Sequence, residues 1–298
     1  MATILDGKAI AASLSETLRA EAASLRTSGI IPRLAIVRVG DRPDDLAYER
    51  GAMKRCETIG VDTLNFALPE NAAEKDLLAV IDQINADSGI HGCLLLQPLP
   101  KHMNERAIRQ ALDPAKDVDG ITATSLFSVV AGGGPGFPPC TPKACLEVLD
   151  HYNIDITGKR AVVIGRSLVV GKPVAMMLLQ RNATVTVCHT KTRNMPELCR
   201  AADILIVAAG RAGMVGRDYL APGQVVIDVG INVNDQGKLC GDVNFDEAKE
   251  IVAALTPVPG GVGAITTSVL AAHVLQAARE RGTPRAARPE RSEGELYL

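Results

Sequence analysis

The sequence predicts an α/β protein of two domains, each built on a parallel-rich sheet. Three observations lead there. Short apolar, β-branched runs alternate with amphipathic helical patterns along most of the chain. Those runs are apolar nearly throughout, as strands are when helices cover both faces of their sheet. The alternation breaks once, in the glycine- and proline-rich stretch from "DPAKDVDGI" to "AGGGPGFPPCTP", which is the expected domain junction. Residues 1–140 with a last helix at 265–282 then form the first domain, and 141–264 the second. The tail 283–298, charged and proline-containing, is predicted to be disordered.

Taken in order, "GKAIAASLSETLRAEAASLR" sets Ile10, Leu14, Leu18 and Leu25 near helical spacing, and "RLAIVRVG" is a buried strand ended by glycine. The segment after Pro43 is helical, with Gly60 as its stop. "VDTLNFALP" is a strand, "AEKDLLAVIDQINAD" a helix, and "IHGCLLLQPLP" a strand halted by prolines. Beyond the bridge the same order resumes in "KRAVVIG", "GKPVAMMLLQR", "ATVTVCHT", "MPELCRAA", "DILIVAAG" and "GQVVIDVGI". The helix "ITTSVLAAHVLQAARE" closes the fold.

Composition narrows the classes of function. The chain is 47% hydrophobic and 22% charged with a formal net charge of −2. Such a balance gives no electrostatic case for nucleic acid or an anionic membrane. No apolar run approaches the roughly 18 residues of a spanning helix, and the start "MATILDGKAIAASL" is not a signal peptide. Seven cysteines include no C-x-x-C, so no metal is expected and a reduced, cytoplasmic compartment fits.

"AVVIGRSLVVGKPVAMMLL" joins a strand to a helix through Gly165 and Gly171, yet it matches neither a phosphate loop nor a G-x-G-x-x-G turn. A helix N-terminus after such a turn stabilises phosphate through unpaired N–H groups and its dipole. Pro173 suits the first helical turn, where its missing N–H is no loss. The competing reading is an ordinary βα turn with incidental glycines. The next strand decides between them. An NAD site places Asp or Glu at its end, for the ribose 2′-hydroxyl. Here it ends in His189, Thr190, Lys191, Thr192 and Arg193, with no acid. Hydroxyls and cations there suit a 2′-phosphate, with Arg166 as a further cation, so this Rossmann-like domain is predicted to bind NADP. A solvated polar loop is the alternative.

"KDVDGI", "PPCTP", "TPVPGGVGAITTS", the G-R-S turn and "VIDVGIN" together resemble the methylenetetrahydrofolate dehydrogenase/methenyltetrahydrofolate cyclohydrolase family of the FolD type, from about residue 3 to 280. The order and spacing of G-R-S-x-x-V-G-x-P, D-V-G-I-N, P-C-T-P and P-V-P-G-G-V-G carry the likeness. The resemblance implies oxidation of 5,10-methylenetetrahydrofolate to the methenyl cation with NADP, then hydrolysis to 10-formyltetrahydrofolate, in a cleft between the domains. It implies a homodimer as well. Gly165, Arg166 and Ser167, with Gly171, fall on the pyrophosphate turn. Thr190 and Arg193 fall near the 2′-phosphate, and Ile231 on the nicotinamide side. Tyr48 matches the family's tyrosine that stacks on the benzoyl ring, and Asp119 the aspartate that grips the pterin. Pro259, Gly260 and Gly261 fall on the substrate side.

Two positions depart from the pattern. The family's lysine follows its tyrosine by four residues, where this chain has Ala52; Lys54 lies about 200° further round a helix. The family's Q-L-P-L-P reads Leu96-Gln97-Pro98-Leu99-Pro100, which moves the glutamine one place and, on a strand, to the opposite face. Ala264 and Ile265 also stand where the family commonly has Pro-Met. The lysine and glutamine serve proton transfer in the second step, so hydrolysis is expected to be weak or absent. Three alternatives stay open. One is a bifunctional enzyme using Lys54, Lys101 or His102 instead. The others are a different NAD(P)-dependent dehydrogenase and a non-catalytic folate- or nucleotide-binding protein.

Overall fold

The computed structural model describes residues 1–282 of the 298; the tail predicted to be disordered lies outside the described residues. In chain order the elements are β1 (Thr3–Ile4), α1 (Gly7–Thr27), β2 (Arg33–Val39), α2 (Pro43–Ile59), β3 (Asp62–Leu68), α3 (Glu74–Ala86) and β4 (Gly92–Leu95). There follow α4 (Glu105–Ala111), α5 (Ala123–Ala131), α6 (Cys140–His151), β5 (Arg160–Ile164), α7 (Gly171–Gln180), β6 (Thr184–Cys188) and α8 (Met195–Arg200). The rest are β7 (Ile204–Val207), β8 (Val225–Asp228), β9 (Asn232–Val233), β10 (Leu239–Cys240), α9 (Phe245–Ala248), β11 (Ala254–Leu255) and α10 (Thr266–Gly282). One sheet has the order β3-β2-β4 and another β1-β11-β8-β7-β5-β6, with β9-β10 apart. All pairings in the two larger sheets are parallel, as the helical crossovers require.

The chain divides into two units. One comprises Leu14–Cys140 and the chain from Thr267; the other comprises Met1–Ser13 and Thr141–Thr266. In the first unit, Val37, Leu77, Ile81, Ile84, Leu95 and Ile108 meet in one core. Helix α2 starts with Pro43 and two acids in its first turn, which suits the helix dipole, and stops at Gly60 with φ +96°. Its buried stripe is Asp45, Glu49, Ala52, Cys56 and Ile59. Arg38 Nε donates to Glu49 Oε2 at 2.7 Å and Asn65 Nδ2 to Glu49 Oε1 at 2.8 Å, which pins α2 to the sheet in one register. The buried ammonium of Lys116 caps α3, donating to the carbonyls of Ile84, Asn85 (3.0 Å) and Asp87 (2.6 Å). Burial and nearby Arg281 oppose that charge and pull its pKa down to about 8.

In the second unit Val162, Ile164, Leu205, Val207, Val226 and Leu255 form the core beneath the six-stranded sheet. One expectation is corrected here. Residues 1–13 belong to this unit rather than to the first: Thr3 and Ile4 pair with Ala254 and Leu255, and the Gly7 N–H donates to the Gly260 carbonyl at 2.8 Å. The glycine- and proline-rich bridge also carries a helix. Thr122, whose side chain accepts from the Ser125 N–H, starts α5, and Gly132 with φ +78° ends it. The unit boundary falls between Cys140 and Thr141, inside P-C-T-P, where α6 has already begun.

Candidate active site

Strand β5 runs into Gly165, whose φ is +121°. A Cβ there would lie 2.2 Å from the Ala208 carbonyl oxygen, and one on Gly171 would lie 2.2 Å from the carbonyl oxygen of Gly165. Close backbone approach therefore requires both glycines. The first amides of α7 do not stand open, as the sequence suggested. Ser167 Oγ accepts from the N–H of Val170 at 3.1 Å and of Gly171 at 3.4 Å, while the Lys172 N–H donates to the Ser167 carbonyl at 3.0 Å. The open donors lie one step earlier. Among the described residues the N–H groups of Arg166, Ser167, Leu168 and Val169 have no protein acceptor. Four successive donors on an exposed turn form a cradle that fits a pyrophosphate.

Strand β6 lies beside β5 and ends at Cys188. The loop after it is tightly wound: the His189 N–H donates to Thr192 Oγ1 at 2.8 Å, the Lys191 N–H to His189 Nδ1 at 3.1 Å, and the Thr192 N–H to the His189 carbonyl at 2.8 Å. Thr190, Lys191 and Arg193 are left exposed on that loop, and Arg166 is exposed on the neighbouring turn. Ile231 is 71% exposed just before β9, with its Cδ1 3.9 Å from where a Cβ on Gly263 would sit. The Pro259-Gly260-Gly261 loop is held at the start of α1, so closely that a Cβ on Gly7 would lie 2.0 Å from the Gly261 carbonyl oxygen.

Two buried aspartates that carry this architecture were not singled out from the sequence. Asp242 Oδ2 accepts the N–H of Ala209 at 2.6 Å and Gly210 at 2.9 Å; its Oδ1 accepts Arg211 N–H at 2.7 Å and Asn232 Nδ2 at 2.9 Å. Asp228 accepts from Gly230, Asp242 and Val243, at 2.9, 3.0 and 2.9 Å. Burial pushes its pKa up to about 6 against the pull of those three bonds. What the sequence shows of them is an Asp-Val pair with a glycine after it in "DVG" and before it in "GDV". The glycine beside each aspartate makes room for the other's carboxylate, since a Cβ on Gly241 would meet Asp228 Oδ2 at 1.8 Å and one on Gly230 would meet Asp242 Cγ at 2.4 Å.

In the first unit the aspartates of "KDVDG" divide their work. Asp117 is the turn cap, accepting the Ile121 N–H at 2.9 Å and the Thr122 N–H at 2.7 Å. Asp119 is free of that duty. It contacts Cys140, whose thiol also reaches the Val118 carbonyl at 3.4 Å. His273 Nδ1 donates to the same carbonyl at 2.8 Å and its ring lies 5.0 Å from that of Phe137. Burial raises the Asp119 pKa to about 7; the Cys140 contact draws it down and Asp117 pushes it further up. Tyr48 lies half-buried on α2.

One turn beyond Tyr48, Ala52 is fully buried in the stripe of α2. Lys54 is exposed and opens into a groove of about 910 Å³ with Arg50 and Glu57. The Leu96 N–H bonds the Val37 carbonyl at 2.9 Å, so the ladder continues past β4, and Leu96 is 6% exposed. Gln97 points elsewhere, its Oε1 accepting from Arg109 Nη2 at 2.8 Å. His102 Nε2 is tied to the Ala72 carbonyl at 2.9 Å, whereas Lys101 is exposed.

A parallel sheet whose β5–α7 turn offers a glycine-bounded nest of amides defines a dinucleotide-binding α/β protein, here joined to a second α/β unit. The family comparison is more specific. Residues 5–119 match the catalytic domain, and residues 139–282 the NAD(P)-binding domain, of tetrahydrofolate dehydrogenase/cyclohydrolase. The chain belongs to that family. It is 54% identical over 279 residues to the bifunctional FolD protein of Carboxydothermus hydrogenoformans, covering 93% of this chain and 97% of the relative. Among solved structures, the bifunctional FolD enzyme of Campylobacter jejuni superposes with a TM-score of 0.92 at 40% identity, over 94% of this chain and all of the other. The Trypanosoma brucei enzyme, crystallised with NADP and an inhibitor, gives 0.88 at 34% identity, over 94% of this chain and 98% of that one. No helix among the described residues is long and apolar enough to cross a membrane.

Proposed function

We propose that this protein oxidises 5,10-methylenetetrahydrofolate to the 5,10-methenyl cation with NADP, and that its hydrolysis of that cation is weak or absent. The observation that carries the first half is the run of four unpaired amides at Arg166–Val169 beside an acid-free β6 end. The open amides of Arg166 and Ser167 would hold the pyrophosphate on the turn that Gly165 and Gly171 shape, Thr190 and Arg193 would hold the 2′-phosphate, and Ile231 would line the nicotinamide side. NADP held there would supply the hydride acceptor for oxidation of the methylene carbon to the resonance-stabilised methenyl amidinium. Tyr48 stacks on the benzoyl ring, and Asp119 accepts hydrogen bonds from the pterin's N–H groups. Pro259, Gly260 and Gly261 border the folate. The unit of residues 14–140 and 267–282 takes folate, and the other unit takes NADP. The protein acts as a homodimer, which sedimentation equilibrium tests. The test of the function is a paired assay on one preparation, following NADPH formation and methenyltetrahydrofolate loss together. The second reading, a fully bifunctional enzyme, is favoured by the relatives, which are named bifunctional.

Two expected results follow from these assignments. Arg193→Gln should raise the KM for NADP about tenfold while leaving that for NAD nearly unchanged, because a charged contact to phosphate is worth at least one decade. Equal effects on both cofactors would move the 2′-phosphate elsewhere. For Asp119, the ionised form is the acceptor, and with a pKa near 7 it is half protonated at neutrality. As pH falls through about 7, kcat/KM for the folate should drop tenfold per unit, and Asp119→Asn should abolish that limb. The same upward shift lowers folding stability as pH rises from the ordinary aspartate range to about 7, since the folded state then holds the proton more tightly than the unfolded chain.

A further inference from the structure

A cavity of about 550 Å³ opens at the start of β2 and β4, the end of those strands opposite to Leu96 and Gln97. Arg33, His91 and Arg281 line it with Ser88 and Gly89, and Ile30 and Ile31 close it; no acidic side chain lines it among the described residues. His91 is only 6% exposed, and its protonation is fixed by geometry. The Arg33 N–H donates to His91 Nδ1 at 3.2 Å, so the ring's own proton sits on Nε2. Among the described residues no protein acceptor takes that Nε2–H. The two guanidiniums are only loosely engaged. Arg33 Nη2 lies 3.9 Å from Asp62, while Arg281 reaches the Ile90 carbonyl at 3.3 Å and Asp113 at 3.4 Å.

We infer that this cavity is a binding site for a small phosphate-class oxyanion, held by Arg33 and Arg281 and by the Nε2–H of His91. Two forked cations and one buried neutral donor converge with nothing of opposite charge on the wall, which is the chemistry that recognises a phosphate. The histidine's surroundings agree. Burial, then Arg281, Lys116 and Arg33, draw its pKa down to about 4 against the opposing pull of Asp87. It therefore stays a neutral donor at physiological pH, and the two guanidiniums beside it are held only by long contacts to Asp62 and Asp113, neither of which lines the cavity. The site is separate from the proposed folate and NADP positions and does not depend on them.

The test is a phosphate titration of the full chain, saturated with NADP so that the cofactor's own phosphate positions are filled. It is followed by NMR of the histidine rings at pH 7 and constant ionic strength. The His91 resonance should shift saturably with a Kd in the millimolar range, while His102, His151 and His273 stay put. Arg33→Gln and Arg281→Gln should each weaken binding about tenfold or more. Thermal melts report whether the variants fold, and Arg33→Gln serves if Arg281→Gln does not. Arg50→Gln, in the neighbouring groove, should leave the affinity unchanged; an equal loss there would mean a diffuse basic surface and overturn the site. Absence of a saturable His91 shift at roughly ten times that concentration would overturn it too. Citrate binding where phosphate fails would overturn the phosphate assignment.

Discussion

Supplied with methylenetetrahydrofolate and NADP, the protein is expected to accumulate the methenyl cation, with hydrolysis little above the buffer rate. Hydride transfer asks the protein for placement of two carbons, and no proton leaves the reacting centre. Adding water asks for proton movement, where a positioned acid or base contributes about 10²–10⁴-fold. Ala52 offers neither proton nor acceptor, and Leu96 cannot orient one. Lys54 projects into a groove on a different face of α2 from Ala52. Ala52→Lys combined with Leu96→Gln should restore part of the hydrolysis, and Ala52→Lys alone little, since an unoriented lysine gains proximity without geometry. Brisk hydrolysis in the natural protein that vanishes in Lys54→Ala would show that α2 delivers its lysine from an unexpected register.

Asp242→Ala should be the most damaging single change in the cofactor unit. Its carboxylate is fully buried and satisfies three backbone N–H groups and one amide, all of which the substitution leaves without a partner. Breaking such a cluster costs about 3–5 kcal/mol, or about 10 °C in Tm for a protein of this size. The loop it holds begins beside Ala208, whose carbonyl abuts Gly165, so the KM for NADP should rise in whatever protein remains folded. Asp242→Asn keeps an acceptor oxygen and should lose about half as much. A melt unchanged by Asp242→Ala would mean that water satisfies the loop unaided.

The alternation of strand and helix was legible because each element advertises itself locally, as in "RLAIVRVG" and "KRAVVIG". The G-R-S turn was legible for the same reason, although which of its amides stay open was not: Ser167 had to be seen capping α7. Long-range partners left no local trace. β1 is two residues long and pairs with β11, so nothing in "ATILDG" announces the unit it joins. Asp119 and Asp117 look alike in "KDVDG", and only their hydrogen bonds separate the turn cap from the carboxyl that meets the Cys140 thiol. Asp228 and Asp242 do not declare themselves locally because their value lies in backbone amides distant in the chain.

That first strand also orders the protein's birth. Thr3 emerges from the ribosome about 250 residues before Ala254, against which it must pair. At 5–20 residues per second the wait is roughly ten seconds to a minute. Leu5 and Ile10, buried in the finished protein, have no sheet to cover them during that interval. The unit formed by residues 14–140 is translated whole in the meantime, except for its last helix. The strand with which the unit begins thus waits for almost the whole of that unit to be made, and a nascent chain halted before residue 254 carries an unmatched apolar segment for a chaperone to hold.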